Sequence, residues 1–166
     1  MRKRVFAVVI FCVAWAMLLS GCAPREGDPF AVMRGSFTAK VCGEVNGVTV
    51  EAVLEAQAAG EGTRAVTVTV YAPSGLSGTV LRRGEDGIVQ VTVGDLAVTM
   101  PVGVDFSALL DLFPTDRAVT DITLDPSGRT TVNFAGGSIV LLSDGTPYAV
   151  CTSTANVRVV EFEKRE

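Results

Sequence analysis

Runs of alternating apolar and polar residues, separated by glycine-containing turns, fill the sequence after the first 35 residues. In the run 64–71, Val66, Val68 and Val70 alternate with threonines. This period of two is typical of a strand that buries one face and exposes the other. Asn46-Gly47, between the first two runs, is a strong signal for a hairpin turn. The sequence therefore predicts a mainly β, antiparallel domain.

The alternating runs predict ten or eleven strands. They cover 36–45, 48–57, 64–71, 78–83, 88–93, 96–100, 119–124, 129–134, 138–142, 148–152 and 156–162. A sheet of that many strands cannot stay flat, so it curls, closes or splits into two layers. We expect one domain over residues 35–163, built as a strongly curved half-barrel with one or two short helices on its concave face. A β-sandwich is the alternative.

One segment breaks the alternation. Asp105 can cap a short helix, and Pro114 would end it. The apolar residues of this helix recur at helical spacing and are Phe106, Leu109, Leu110 and Phe113. They must rest on another apolar surface, either as a fixed plug or as a movable lid.

The larger apolar residues of the runs have two interpretations, a packed core or the lining of a ligand groove. The residues singled out as groove or plug are Val66, Val68, Val70, Leu96, Val98, Met100, Phe106, Leu109, Leu110, Phe113 and Phe134. An apolar cavity above about 300 Å³ would favour a groove. A filled interior would favour a core.

The first 21 residues have the pattern of an export signal. Arg2, Lys3 and Arg4 precede an almost wholly apolar run that ends at Leu19, which is too short for a comfortable membrane span. The polar, proline-containing segment 22–34 is predicted to be a tether. The domain boundaries are therefore expected at residues 21 and 34.

Leu19-Ser20-Gly21-Cys22 resembles the lipobox of bacterial lipoproteins. The resemblance implies cleavage before Cys22 and attachment of diacylglycerol to its thiol, often with acylation of the new amino group. Two or three acyl chains anchor a protein stably to a membrane. We therefore expect a lipid-anchored protein on the extracytoplasmic face of the cell membrane.

Composition excludes several function classes. The chain has no histidine, so it lacks imidazole for nucleophile activation or for binding a metal. Removing the three basic residues of the signal from the 14 in the chain leaves 11 against 18 acidic residues, a balance of −7. An acidic chain without a basic patch argues against a nucleic-acid partner. We expect no metal, no cofactor and no enzyme activity.

Cys42 and Cys151 are the thiols left for the folded domain, since Cys12 leaves with the signal and Cys22 carries lipid. Exported proteins meet oxidising conditions, which favours a disulfide. The alternation places both cysteines on the less apolar face of the sheet. A Cys42–Cys151 bridge is the prediction, and two unpaired small residues are the alternative.

The order of features over residues 30–162 resembles the LolA/LppX superfamily of half-barrel lipoproteins, through small lipoproteins of Gram-positive spore-formers. The segments that carry the resemblance are Asp28-Pro29-Phe30, Phe37-Thr38-Ala39, Asn46-Gly47, Tyr71-Ala72-Pro73, Leu76-Ser77-Gly78 and the midchain helix. It implies a curved sheet around apolar helices, which carries acyl chains in some members and supports a partner surface in others. The long N-terminal helix of the carriers is missing here, because only residues 29–35 could serve.

Two functions are consistent with these observations. The first is a non-enzymatic binding module whose concave face holds an acyl chain or another apolar ligand. The second is an envelope scaffold that binds a protein partner through its sheet edge or loops and has a filled interior.

Overall fold

A computed structural model of the chain describes residues 27–58, 60, 63–100 and 107–165, with the backbone alone for residues 96–100. Two short helices are described, α1 (Ala31–Arg34) and α2 (Ser107–Leu110), together with a 3-10 turn at Ser74–Leu76. The strands are β1 (Ser36–Val45), β2 (Val48–Ala56), β3 (Val66–Ala72), β4 (Thr79–Arg83), β5 (Val89–Val93), β6 (Leu96–Met100), β7 (Val119–Leu124), β8 (Thr130–Phe134), β9 (Gly137–Leu141), β10 (Pro147–Thr152) and β11 (Ala155–Arg165). Cys22, the predicted site of lipid attachment, and Phe106, which the sequence predicted to lie in the midchain helix, fall outside the described residues.

All eleven strands form one antiparallel sheet in the order β6-β5-β4-β3-β2-β1-β11-β10-β9-β8-β7. This confirms the predicted fold class, a mainly β protein with one open, curved sheet and few helices. The sandwich alternative is wrong, because the strands do not divide into two layers. The first and last strands pair at the centre, and the chain between β6 and β7 joins the two edges.

The first hairpin shows how local sequence sets the strand register. Asn46 and Gly47 both have positive φ, 48° and 79°, as the tightest hairpin turns require. The turn pairs Val45 with Val48, and the register continues without interruption to Phe37 opposite Ala56. This register places the apolar residues of both strands on one face of the sheet.

We call the buried side of the sheet the core face and the opposite side the outer face. The two helices pack against the core face. Phe30 and Met33, in and next to α1, are buried there. The packed part of the chain therefore begins before residue 35, the boundary expected from the sequence, and part of the expected tether belongs to the fold.

The predicted bridge between Cys42 and Cys151 is absent, and both thiols are free and exposed. They share the outer face, but they lie on β1 and β10 with β11 between them. Strands two positions apart are about 10 Å apart, whereas disulfides need Cα atoms within about 7 Å. The register adds a further offset, because Cys42 lies opposite Arg158 and Cys151 opposite Asn156.

In the part of the chain that the structure describes, no helix has the length and apolar character needed to cross a membrane.

Candidate functional site

The core face carries the apolar residues that the sequence analysis interpreted as either a packed core or the lining of a ligand groove. Val66, Val68 and Val70 of β3 are buried on it, as is Phe134 of β8. Because successive residues of a strand point to opposite faces, the threonines between the valines point to the outer face. For Leu96, Val98 and Met100, the structure gives the backbone path of β6 and no side-chain surroundings.

Helix α2 and the residues after it, 107–113, cover one half of the core face. Leu109, Leu110 and Phe113 are all buried. The ring of Phe113 lies edge-on to Phe37, with 5.2 Å between the ring centroids. Leu112, which the helical spacing did not single out, is also buried. These side chains therefore fill part of the concave side of the sheet.

Helix α1, with Phe30 before it, covers a second part of the core face, beside β8. Phe30 meets Phe134 edge-on, with ring centroids 6.1 Å apart, and Met33 is fully buried. Sequence reasoning missed this helix as part of the interior. The sequence does contain a signal for it. Phe30 and Met33 are apolar residues at helical spacing, and Pro29, directly before them, is a residue that favours a helix start. We call the two covering segments, 30–34 and 107–113, the plug.

A cavity of about 130 Å³ remains between the 107–113 half of the plug and the sheet. Its lining includes Phe37 and Phe113 on the apolar side and Arg64, Arg83 and Asp111 on the charged side. Pockets that bury a drug-sized ligand are about 300–1,000 Å³. The cavity is therefore less than half the smallest of these.

Arg83 links the end of α2 to the sheet through an ion pair and hydrogen bonds. It lies two residues after Leu81, so it projects from the core face of β4, and its side chain is only 15% exposed. Its guanidinium forms an ion pair with Asp111 and donates to the Leu110 carbonyl at 3.2 Å and to the Arg64 carbonyl at 3.3 Å. The period of two in β4 places Arg83 in phase with Leu81, on the core face.

Arg64, just before β3, forms hydrogen bonds with the residues just after β2 and just before β1. Its guanidinium lies 4.6 Å from the centroid of the Phe37 ring and donates to the carbonyls of Gln57 at 2.9 Å and Gly35 at 3.0 Å. Burial, and then the positive charge of Arg83, lower the pKa of Arg64 to about 10. The group stays charged at neutral pH, and its contacts hold the start of β1 beside the entry to β3.

The two halves of the plug are tied to each other by Arg34, the last residue of α1. Its guanidinium donates to the Thr115 carbonyl at 2.9 Å and forms an ion pair with Asp28 at 2.8 Å. Hydrogen bonds and ion pairs therefore hold the covering segments at two points, Arg34 and Arg83, whereas Arg64 binds the residues that flank β1 and β2. This arrangement favours a fixed plug over a movable lid.

No group of three or more cysteine, aspartate or glutamate side chains among the described residues could hold a metal ion. Among the described residues, the arrangement offers an apolar core face that the plug covers in part, a cavity of about 130 Å³ beside the plug, and an exposed outer face.

The exposed surface includes strand β7, which the plug leaves uncovered. All six of its residues are exposed, including Ile122 and Leu124, which alternate on one face. The opposite partner of Ile122 is Val132, which is fully buried. The cover over the core face therefore stops at β8.

No family model matches the sequence, and no curated protein matches it. Among solved structures, the chain is similar to an uncharacterized conserved protein from Thermus thermophilus, with a TM-score of 0.51 and 16% identity over 81% of this chain and 82% of that chain. It is also similar to a LolA superfamily protein from Nitrosomonas europaea, with a TM-score of 0.44 and 7% identity over 80% of this chain and 87% of that chain. The likeness to the Thermus protein shows a shared fold and no more.

Proposed function

We propose that the protein is a non-enzymatic lipoprotein, anchored through Cys22 to the extracytoplasmic face of the cell membrane, and that it acts as a protein-interaction module with a filled interior. Its working surface would then be the exterior of the sheet. The membrane is its partner through the lipid, and an envelope protein is its partner through that surface.

The observation that carries this proposal is the filled core face. The plug residues Phe30, Met33, Leu109 and Leu112 are all buried against the sheet. The cavity beside them, about 130 Å³, is too small for an acyl chain of ordinary length. A carrier would have to displace the plug, and thus break the contacts of Arg34 and Arg83.

The anchor is supported by the sequence. The lipobox Leu19-Ser20-Gly21-Cys22 stands at the end of a charged and then apolar leader. An acidic domain is repelled by an anionic membrane surface, so the lipid has to provide the attachment.

Expression of the full chain in a bacterial host tests the anchor. We expect the protein in the membrane fraction, with the mass of an acylated Cys22. The Cys22→Ser variant is expected in the soluble fraction, whereas Cys42→Ser, which removes an exposed thiol elsewhere, is expected to stay with the membrane. Equal membrane retention of Cys22→Ser would contradict the lipid anchor.

Native mass spectrometry with organic extraction tests the filled interior. The purified protein, incubated with phospholipid or fatty acid, is expected to show no bound lipid beyond the covalent one. A stoichiometric, extractable lipid would overturn the filled interior and favour the acyl-chain carrier. The two experiments are independent, so the anchor and the interior are judged separately.

A further inference from the structure

Strand β7 is an edge strand whose protection against further pairing is limited to a register shift between Val119 and Asp121 and the charge of Asp121, so that the regular edge available for pairing is 121–124. It pairs with β8 alone, and no described residue lies along its other edge. Its six residues include no lysine and no proline, the residues that commonly blunt such edges. An unpaired row of backbone donors and acceptors is a template for an added strand.

The core face of β7 is apolar and uncovered. Ile122 is 47% exposed and Leu124 is 57% exposed, and Val119 on the same side is also exposed. The neighbouring residues Val132 and Phe134 of β8 are buried under the plug. An added strand with apolar side chains on this side would therefore continue the apolar surface next to Ile122.

The outer side of the same edge is acidic. Asp121 projects from it, with the Asn133 amide as its nearest polar partner at 3.5 Å, and Asp125 follows directly after β7. Neither carboxylate forms a salt bridge within the described ranges. Hydrogen bonds from Ser127 and Arg129 lower the pKa of Asp125, so it stays ionised at neutral pH. The side chain of Arg129 lies 4.3 Å from the centroid of the Tyr148 ring, and its positive charge also lowers the pKa of Asp125, so Asp121 is the carboxylate at this edge without a nearby countercharge among the described residues.

From this combination we infer that the β7 edge docks an extended segment of a partner protein, in which apolar residues alternate with lysine or arginine, as a twelfth strand of the sheet. The apolar residues lie beside Ile122, and a basic residue lies opposite Asp121, because directly opposed residues share a face. The inference rests on the proposed interaction function and names its surface and the chemistry of its partner.

A second copy of the chain fits this edge less well. If two β7 strands paired with Ile122 opposite Ile122, each Asp121 would face Thr123 of the other strand and gain no countercharge. Two copies of an acidic chain would also repel each other. Charge complementarity therefore favours a basic partner.

The test uses the full chain and a defined probe, a fluorescein-labelled nine-residue peptide that alternates lysine and valine. A peptide with glutamate in place of lysine is the charge control. By fluorescence anisotropy at low salt, we expect the lysine peptide to bind at least about tenfold more tightly than the glutamate peptide. Bound peptide should slow amide hydrogen exchange in β7.

Matched variants test whether the lysine peptide binds at β7. Ile122→Lys is expected to weaken binding about tenfold, since a lysine on an edge strand blocks strand addition. Val160→Lys adds the same charge to a residue of similar exposure, 54%, on the central strand β11, and should change binding less than twofold. Asp121→Asn is expected to weaken binding severalfold without altering the melting temperature.

The inference is overturned if the lysine peptide does not bind, if Ile122→Lys and Val160→Lys weaken it equally, or if exchange slows at β6 instead of β7. A concentration-dependent dimer that Ile122→Lys abolishes would assign the edge to a second copy. None of these results bears on the lipid anchor or the filled interior, which have their own tests.

Discussion

Truncating Met33 to alanine is expected to destabilise the whole domain, because Met33 carries helix α1 into the core. Its side chain is fully buried between the helix and the sheet. Alanine would leave a cavity that the tied helix cannot collapse into, since Arg34 holds its end to the Thr115 carbonyl. The substitution therefore tests whether this half of the plug is a fixed part of the fold.

Buried methionine-to-alanine substitutions cost about 2–5 kcal/mol. That is a large share of the roughly 5–15 kcal/mol that stabilises a typical domain. For a domain of this size, each kcal/mol lowers the melting temperature by about 3 °C, so a fall of roughly 6–15 °C is expected.

Thermal and urea unfolding followed by circular dichroism measure this effect, because the single tryptophan of the chain, Trp15, precedes the folded domain and would not report on its core. Two controls bracket it. Val32→Ala, at the half-buried neighbour, should cost less than about 1 kcal/mol, and Met33→Leu less than about 1.5 kcal/mol. If Met33→Ala changed the unfolding free energy by less than about 0.5 kcal/mol, α1 would not be packed on the sheet and the interior would not be filled.

Three further predictions follow from particular contacts. Gly43→Ala should destabilise the protein by more than about 2 kcal/mol, because its Cβ would clash with the Asn156 carbonyl oxygen of β11, whereas Gly75→Ala, with open space around it, should change the free energy of unfolding little. A thiol reagent should modify Cys42 and Cys151 in the native protein, and a mass deficit of two daltons would contradict their free state. Asp125→Asn should lower the melting temperature at neutral pH. The wild-type carboxyl has a pKa below its ordinary 3.8, so its contribution is present above that value and is lost as the pH falls through the folded-state pKa. If the difference in melting temperature between the wild type and Asp125→Asn stayed constant from pH 7 to pH 2, the stabilising role of the ionised Asp125 carboxylate would be contradicted.

Local pattern was sufficient to predict the strands. Ten of the eleven begin and end within two residues of the alternating runs, because period-two burial and turn residues are local properties. Strand β11 extends three residues further than its run. The reason is tertiary, since its last residues pair with the start of β1, Arg165 opposite Ser36.

The alternating pattern predicted on which face of the sheet a residue lies, but not which strands are adjacent. It placed Cys42 and Cys151 correctly on the outer face, yet it could not show that β11 lies between them. Alternation fixes the side of the sheet on which a residue lies, whereas strand order depends on pairings between distant parts of the chain. The predicted disulfide failed for this reason.

The candidate site divides in the same way. The sequence by itself determined which residues are apolar, that a short midchain helix precedes Pro114 and that β3 and β7 both alternate, although the helix ends at Leu110 and not at Pro114 as predicted. Only the tertiary structure decided that Phe30 and Met33 are buried against the core face, that Arg83 donates a hydrogen bond to the last residue of α2, and that β7 is left uncovered. Burial requires a covering element as well as an apolar face, and the covering elements are brought to the sheet by contacts between residues far apart in the sequence.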